Sequence, residues 1–79
     1  MSLKNDITEK KGFFGKDRNI KRIKRGEAKL VYIASDCPDR DEVIRNCKAN
    51  EVKYIELKEN SKEVGIICKK SFNINVVSF

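Results

Sequence analysis

The sequence predicts an α/β fold, a layered sandwich in which short strands alternate with helices. Three observations predict it. A helical pattern bounded by Gly15 and Gly26 runs directly into the near-continuous apolar segment Lys29-Leu30-Val31-Tyr32-Ile33-Ala34, as expected of a strand covered on both faces. A second alternation follows, with an amphipathic stretch around Val43, Ile44 and Cys47 leading into the β-branched run Val52-Lys53-Tyr54-Ile55-Glu56-Leu57. A third pairs a short apolar helix around Val64, Ile66 and Ile67 with the segment Phe72-Asn73-Ile74-Asn75-Val76-Val77-Ser78-Phe79. Repeated helix-to-strand succession is the mark of a layered α/β unit.

Each element has a local reason. Leu3 and Ile7, four positions apart, support a short helix over 3–10, with a lead-in through residue 11. Gly12-Phe13-Phe14 reads as a brief strand ended by Gly15, its two rings on opposite sides. Between the glycines lie six basic side chains and one acid, Asp17, while Ile20 and Ile23 supply a narrow apolar stripe. Gly26 stands where such a helix stops. Ser35-Asp36-Cys37-Pro38 breaks the following strand. Pro38 suits the first turn of a helix, and Asp39, Asp41 and Glu42 favour its positive end. Asn50 can end that helix, and Asn60 or Ser61 can cap the next. Residues 72–79 read as the closing strand.

Seventy-nine residues make one domain, 1–79, with 39% hydrophobic and 38% charged side chains. No run approaches the ~20 apolar residues that span a bilayer. The polar N-terminus lacks the apolar segment of a secretory signal, so the chain is expected inside the cell. Net charge is +6, and it is unevenly spread: residues 1–29 hold ten Lys/Arg against four Asp/Glu, while residues 30–79 hold eight of each. The whole surplus therefore sits in the first third. A polyanion is the implied partner, and nucleic acid fits better than a membrane, because two isoleucines are too narrow a face for a lipid surface.

Catalysis is disfavoured. With no histidine in the chain, a general base would have to be a carboxylate, and no carboxylate pair sits in an apolar setting. No Gly-x-x-x-x-Gly-Lys loop cradles a nucleotide. The three cysteines, Cys37, Cys47 and Cys68, form no Cys-x-x-Cys pair and offer too few ligands for zinc. They read as reduced, apolar fillers. No cofactor, metal or small-molecule substrate is expected.

With its elements placed, the sequence resembles the L-seven-Ae/L-thirty-e superfamily of kink-turn RNA-binding ribosomal proteins, the L-thirty-e branch in particular. The resemblance rests on Gly15, on Gly26 eleven positions later, and on the following Glu27-Ala28-Lys29-Leu30-Val31-Tyr32-Ile33-Ala34-Ser35-Asp36-Cys37-Pro38. Glu63-Val64-Gly65, Lys70-Ser71-Phe72 and Val76-Val77-Ser78 extend it, so that residues 12–79 form the family core. It implies a three-layer α/β/α sandwich with a small mixed four-stranded sheet. It also implies a structural RNA-binding protein of the large ribosomal subunit, cytoplasmic on the ribosome, with rRNA and neighbouring ribosomal proteins as partners.

By position, the resemblance assigns RNA contacts to Gly15, Lys16, Asp17, Arg18 and Lys21, to Ser35, Asp36 and Cys37, and to Phe72 with Asn73. The chemistry is consistent with this. Gly15 lets helix-end N–H groups approach a phosphate, Arg18 and Lys21 can reach phosphates or base edges, and Phe72 can stack on an extruded base. Asp17-Arg18 replaces the Asn-Glu pair of many members, a departure that bears on base readout rather than on phosphate binding. The short N-terminal helix, and a chain that stops at its last strand, suggest a domain that draws stability from its RNA.

Plainer readings stand beside these. Ser35 to Pro38 also fits a strand-to-helix turn with an acidic cap, and Phe72 on a strand also fits the core. Tyr32 and Tyr54, within strands, read as structural. Rival functions are a kink-turn component of a guide-RNA or RNA-processing particle and, from another class, a module docking its basic helix on an acidic protein.

Overall fold

The computed structural model describes residues 12–79, so the helix expected over 3–10 lies outside the described residues. The elements are β1 (Phe13–Phe14), α1 (Lys16–Lys24), β2 (Leu30–Ile33), α2 (Arg40–Ala49), β3 (Lys53–Glu56), α3 (Ser61–Ile67) and β4 (Val76–Ser78). One mixed sheet runs in the order β1-β4-β2-β3. β2 and β3 are parallel, joined through α2, while β4 is antiparallel to both β1 and β2.

All four residues of β2 are buried, and their alternation divides the core in two. Val31 and Ile33 face Ile20 and Ile23 of α1 together with Val43 and Cys47 of α2. Leu30 and Tyr32 face Val64 of α3, Cys68 and Ile74. Strand register carries the division across the sheet, with Tyr32 opposite Val77 on one face and Ile33 opposite Val76 on the other. The Tyr32 ring meets Phe79 edge-on, with centroids 5.9 Å apart. Helices on both sides of a mixed sheet are the three-layer α/β/α sandwich expected from the sequence. The two-isoleucine stripe of α1 suffices to dock it, because Ile23 is fully buried, worth about 1.5–3 kcal/mol by area.

Helix ends follow local chemistry. At the end of α1, Gly26 N–H donates to Ile23 O (3.1 Å) and Glu27 N–H to Arg22 O (2.8 Å), the paired bonds that close a helix with a left-handed residue. α3 opens on Asn60, whose side chain accepts from Glu63 N–H at 2.9 Å while the Glu63 carboxylate accepts from Asn60 N–H at 3.3 Å. Of the two capping candidates, Asn60 is the cap.

Two expectations are corrected. Pro38 does not open α2; Asp39 is its N-cap and Arg40 its first residue, with Pro38 in the preceding turn. The closing strand is Val76–Ser78 rather than 72–79. Residues 72–75 instead form a loop: Asn75 O takes the last bond in register with β2, from Ala34 N–H (2.8 Å), and the chain then turns off the sheet, with Ile74 N–H donating to Ser61 O of α3 (3.0 Å).

Candidate nucleic-acid interface

The start of α1 is built around Gly15. The chain leaves β1 with Gly15 at φ 98°, in the left-handed region that side chains rarely adopt, and a Cβ there would meet nothing within 4 Å. The residue is exposed, so the conformation demands glycine and the space in front of it stays open. Asn19, fully buried, fixes the geometry. Its Nδ2 donates towards Gly15 O (2.8 Å), Phe13 O (3.0 Å) and Val76 O (3.3 Å), and its Oδ1 accepts from Ser78 Oγ. One carboxamide thereby ties the end of β1, the helix start and β4 together.

An open cleft of about 450 Å³ lies between this helix start and the 72–75 loop, bordered by Phe14, Gly15, Lys16, Arg18, Phe72 and Asn73 among others. Phe72 is 56% exposed, so the ring is not core. Gly65 sets the position of the loop. A Cβ at Gly65 would run into the Phe72 carbonyl and lie 3.7 Å from Asn73 Cα, so only glycine lets the loop rest this close on α3. Lys70 Nζ lies 5.3 Å from the centre of the Phe14 ring, a cation–π contact on the α3 side of the sheet.

Five of the ten expected contact residues thus share one cleft. Ser35, Asp36 and Cys37 lie outside its lining. Asp36 instead receives Ser61 N–H at 2.6 Å and Ser61 Oγ at 3.1 Å, an acidic clamp across to the start of α3. Since Ser61 O also accepts from Ile74 N–H, the 35–37 loop and the 72–75 loop meet at Ser61. Cys37 is buried, and burial pushes its thiol pKa up. Lys21 is exposed on another face of α1, beside Phe13, Arg22 and Arg25.

The electrostatics of the helix start are less cationic than the sequence suggests. Lys16 Nζ sits 3.4 Å from Asp39, 3.5 Å from Glu42 and 3.9 Å from Asp17. The charge of Asp39, then that of Glu42, raises the Lys16 pKa. Asp17 itself has a 91% exposed side chain.

A family model for the ribosomal protein L7Ae/L30e/S12e/Gadd45 family matches residues 3–79. The chain belongs to this family. Among its relatives, the large ribosomal subunit protein eL30 of Archaeoglobus fulgidus is 35% identical over 60 residues, 76% of this chain and 67% of the relative. The eL30 of Methanocaldococcus jannaschii is 31% identical over 92% of this chain and 68% of its own length. Among solved structures, a 15.5 kD RNA binding protein of Giardia lamblia superposes with a TM-score of 0.78 at 25% identity, covering 96% of this chain and 65% of its own. The chain therefore spans about two thirds of the length of these relatives. A Bacillus halodurans protein of unknown function shares the fold, with a TM-score of 0.83 at 17% identity. The curated relatives are named as ribosomal proteins, not as enzymes.

Within the family fold, two residues that shape the cleft escaped the sequence reading. Asn19 carries no motif that marks it within a basic helix. Its signal was present: it is uncharged among cations, adjacent to Ile20 and four positions before Ile23, hence on the buried stripe. Gly65 was noted as part of a motif, but its reason, the backbone of a loop seven residues later, has no local signature. Among the described residues no group of His, Cys, Asp and Glu could hold a metal ion, and no helix is long and apolar enough to cross a membrane.

Proposed function

We propose that this protein is a structural RNA-binding component of the large ribosomal subunit that recognises a kink-turn or similarly bent rRNA element. The observation that carries the reading is the cleft. It sets an open glycine helix start and Arg18 opposite an exposed aromatic ring and the Asn73 amide. A helix start with unpaired N–H groups suits a phosphate, and an exposed ring suits an unstacked base. A bent RNA offers both at short range, whereas a straight duplex keeps its bases stacked. The names of the curated relatives support assignment to the large subunit. On this reading the partners are rRNA and adjacent ribosomal proteins, and the site of action is the ribosome in the cytoplasm. No cofactor or small-molecule substrate takes part.

Competition between a short kink-turn RNA and a straight duplex of equal length tests the proposal. Preference for the bent RNA is expected, and Phe72→Ala should weaken that binding by about 1–3 kcal/mol, the value of one base stacked on an aromatic ring. Equal affinity for the two RNAs overturns the reading. The Giardia protein of similar structure is named for RNA binding and not for the ribosome; the second possibility is a kink-turn component of another ribonucleoprotein. Co-migration with small particles rather than ribosomes on a sucrose gradient would select it.

A further inference from the structure

Among the described residues, the cations of α1 do not converge on the cleft. Arg18, Lys21, Arg22 and Arg25 follow at spacings of three, four and seven, so they form one stripe along α1 and its C-cap, about 10 Å long at 1.5 Å per residue. They border a second open groove of about 480 Å³, with Phe13 and a single acid, Glu27. Phe13 orients two of them: the Arg22 guanidinium lies 3.8 Å and that of Arg18 5.6 Å from the ring centre. Arg22 Nη2 donates to Glu27 O at 3.2 Å. Among the described residues, nothing accepts from its buried Nε. Glu27, among the described residues, pairs only with Arg25, at 4.0 Å. At the helix start, by contrast, three carboxylates surround Lys16.

We propose that this outer groove of α1 is a phosphate-backbone site, and that it supplies most of the salt-dependent affinity while the Gly15–Phe72 cleft supplies the discrimination. The inference deepens the RNA-binding reading and rests on it. RNA is favoured over an acidic protein for two reasons. Planar guanidiniums held in place by a ring match the fork geometry of phosphate oxygens. Arg18 lines both concavities, so one RNA strand can pass from cleft to groove without a break. The groove fits backbone rather than bases, because its donors lie along a stripe and its one ring is already covered by Arg22.

The test measures affinity for a kink-turn RNA and for a straight duplex at 50 and 200 mM salt, with wild type, Arg25→Gln and the double variant Arg22→Gln/Arg25→Gln. Each lost phosphate contact should lower the salt slope by roughly 0.9. Between the two salt concentrations, the affinity of the double variant should therefore fall about tenfold less than that of wild type, and that of the single variant about threefold less. Preference for bent over straight RNA should be retained in both. The Arg25 side chain is 71% exposed, so the single variant keeps the proposal testable if loss of the Arg22–Phe13 contact unfolds the double. An unchanged salt slope in the folded variants, with wild type still preferring bent RNA, overturns the groove and leaves the cleft reading intact. Absence of any bent-RNA preference in wild type overturns the cleft reading instead. Tighter binding of poly-glutamate than of duplex RNA at matched charge also overturns the groove assignment, in favour of an acidic protein.

Discussion

Asn19→Leu replaces the carboxamide that joins β1, α1 and β4 with a side chain of similar size that forms no hydrogen bond. Gly15 O and Val76 O keep backbone donors, Asn19 N–H at 3.1 Å and Gly15 N–H at 3.3 Å. Phe13 O, opposite Ser78 in the β1–β4 ladder, loses a second donor, that of Asn19 at 3.0 Å, and Ser78 Oγ, on a fully buried residue, loses its acceptor. A buried polar group left without a partner costs about 1–3 kcal/mol. One such group and one lost second bond at about 0.5–1.5 kcal/mol, offset in part by about 1.5 kcal/mol from burying an apolar side chain, leave a net loss of about 1–2 kcal/mol. A chain of this length has roughly 4–12 kcal/mol of stability in total. At about 4–8 °C per kcal/mol for a domain this small, the melting temperature should drop by roughly 5–15 °C. Circular dichroism melts without RNA provide the assay. Asn19→Asp supplies an internal control with a pH signature. Its new carboxylate would face three carbonyl oxygens, so its folded pKa is raised. The penalty is present above the unfolded pKa, and stability returns as pH falls through the folded value. A fall of less than about 3 °C for Asn19→Leu at neutral pH, or no acid recovery for Asn19→Asp, would refute the assignment of Asn19 as the structural joint.

Three further outcomes are expected. Gly65→Ala should displace the 72–75 loop and cost about 1–3 kcal/mol by overpacking, with bent-RNA affinity falling further than the melt predicts; a change confined to the melt would detach the loop from the site. Gly15→Val should be strained at φ 98° and should obstruct the helix start, so affinity measured where both proteins are folded should drop sharply; unchanged affinity would move the RNA elsewhere. Lys16 has a raised pKa through Asp39 and Glu42, so its pairing contributes fully below the ordinary lysine pKa and is lost as pH rises through the folded value. Melting temperatures of wild type and Lys16→Met should therefore begin to converge as pH rises past the ordinary lysine value of 10.5 and meet above the raised folded value, and parallel pH curves would show that the ion pairs contribute nothing.

Sequence alone determined what depends on neighbours within a few positions. Short apolar and β-branched runs and helical patterns placed β2, β3 and all three helices of the described residues, and narrowed the cap of α3 to Asn60 or Ser61. The cationic stripe of α1 could be counted from residue identities. These features were legible because a residue's periodicity and its capping partners lie within one or two turns of itself. Tertiary structure decided the rest. Asn19 became a buried joint through Val76, 57 positions away, and Asp36 became a clamp on Ser61, 25 positions away. Lys16 was drawn to the acids of α2, and that shifts the cationic surface from the start of the helix to its outer face. Residues 72–75 alternate like a strand, yet Ser61 offered Ile74 a backbone partner outside the ladder while Gly65 made room for the loop. Alternation records only which side chains are apolar; which backbone group meets which depends on where distant elements pack, and that left Phe72 at the surface beside Gly15.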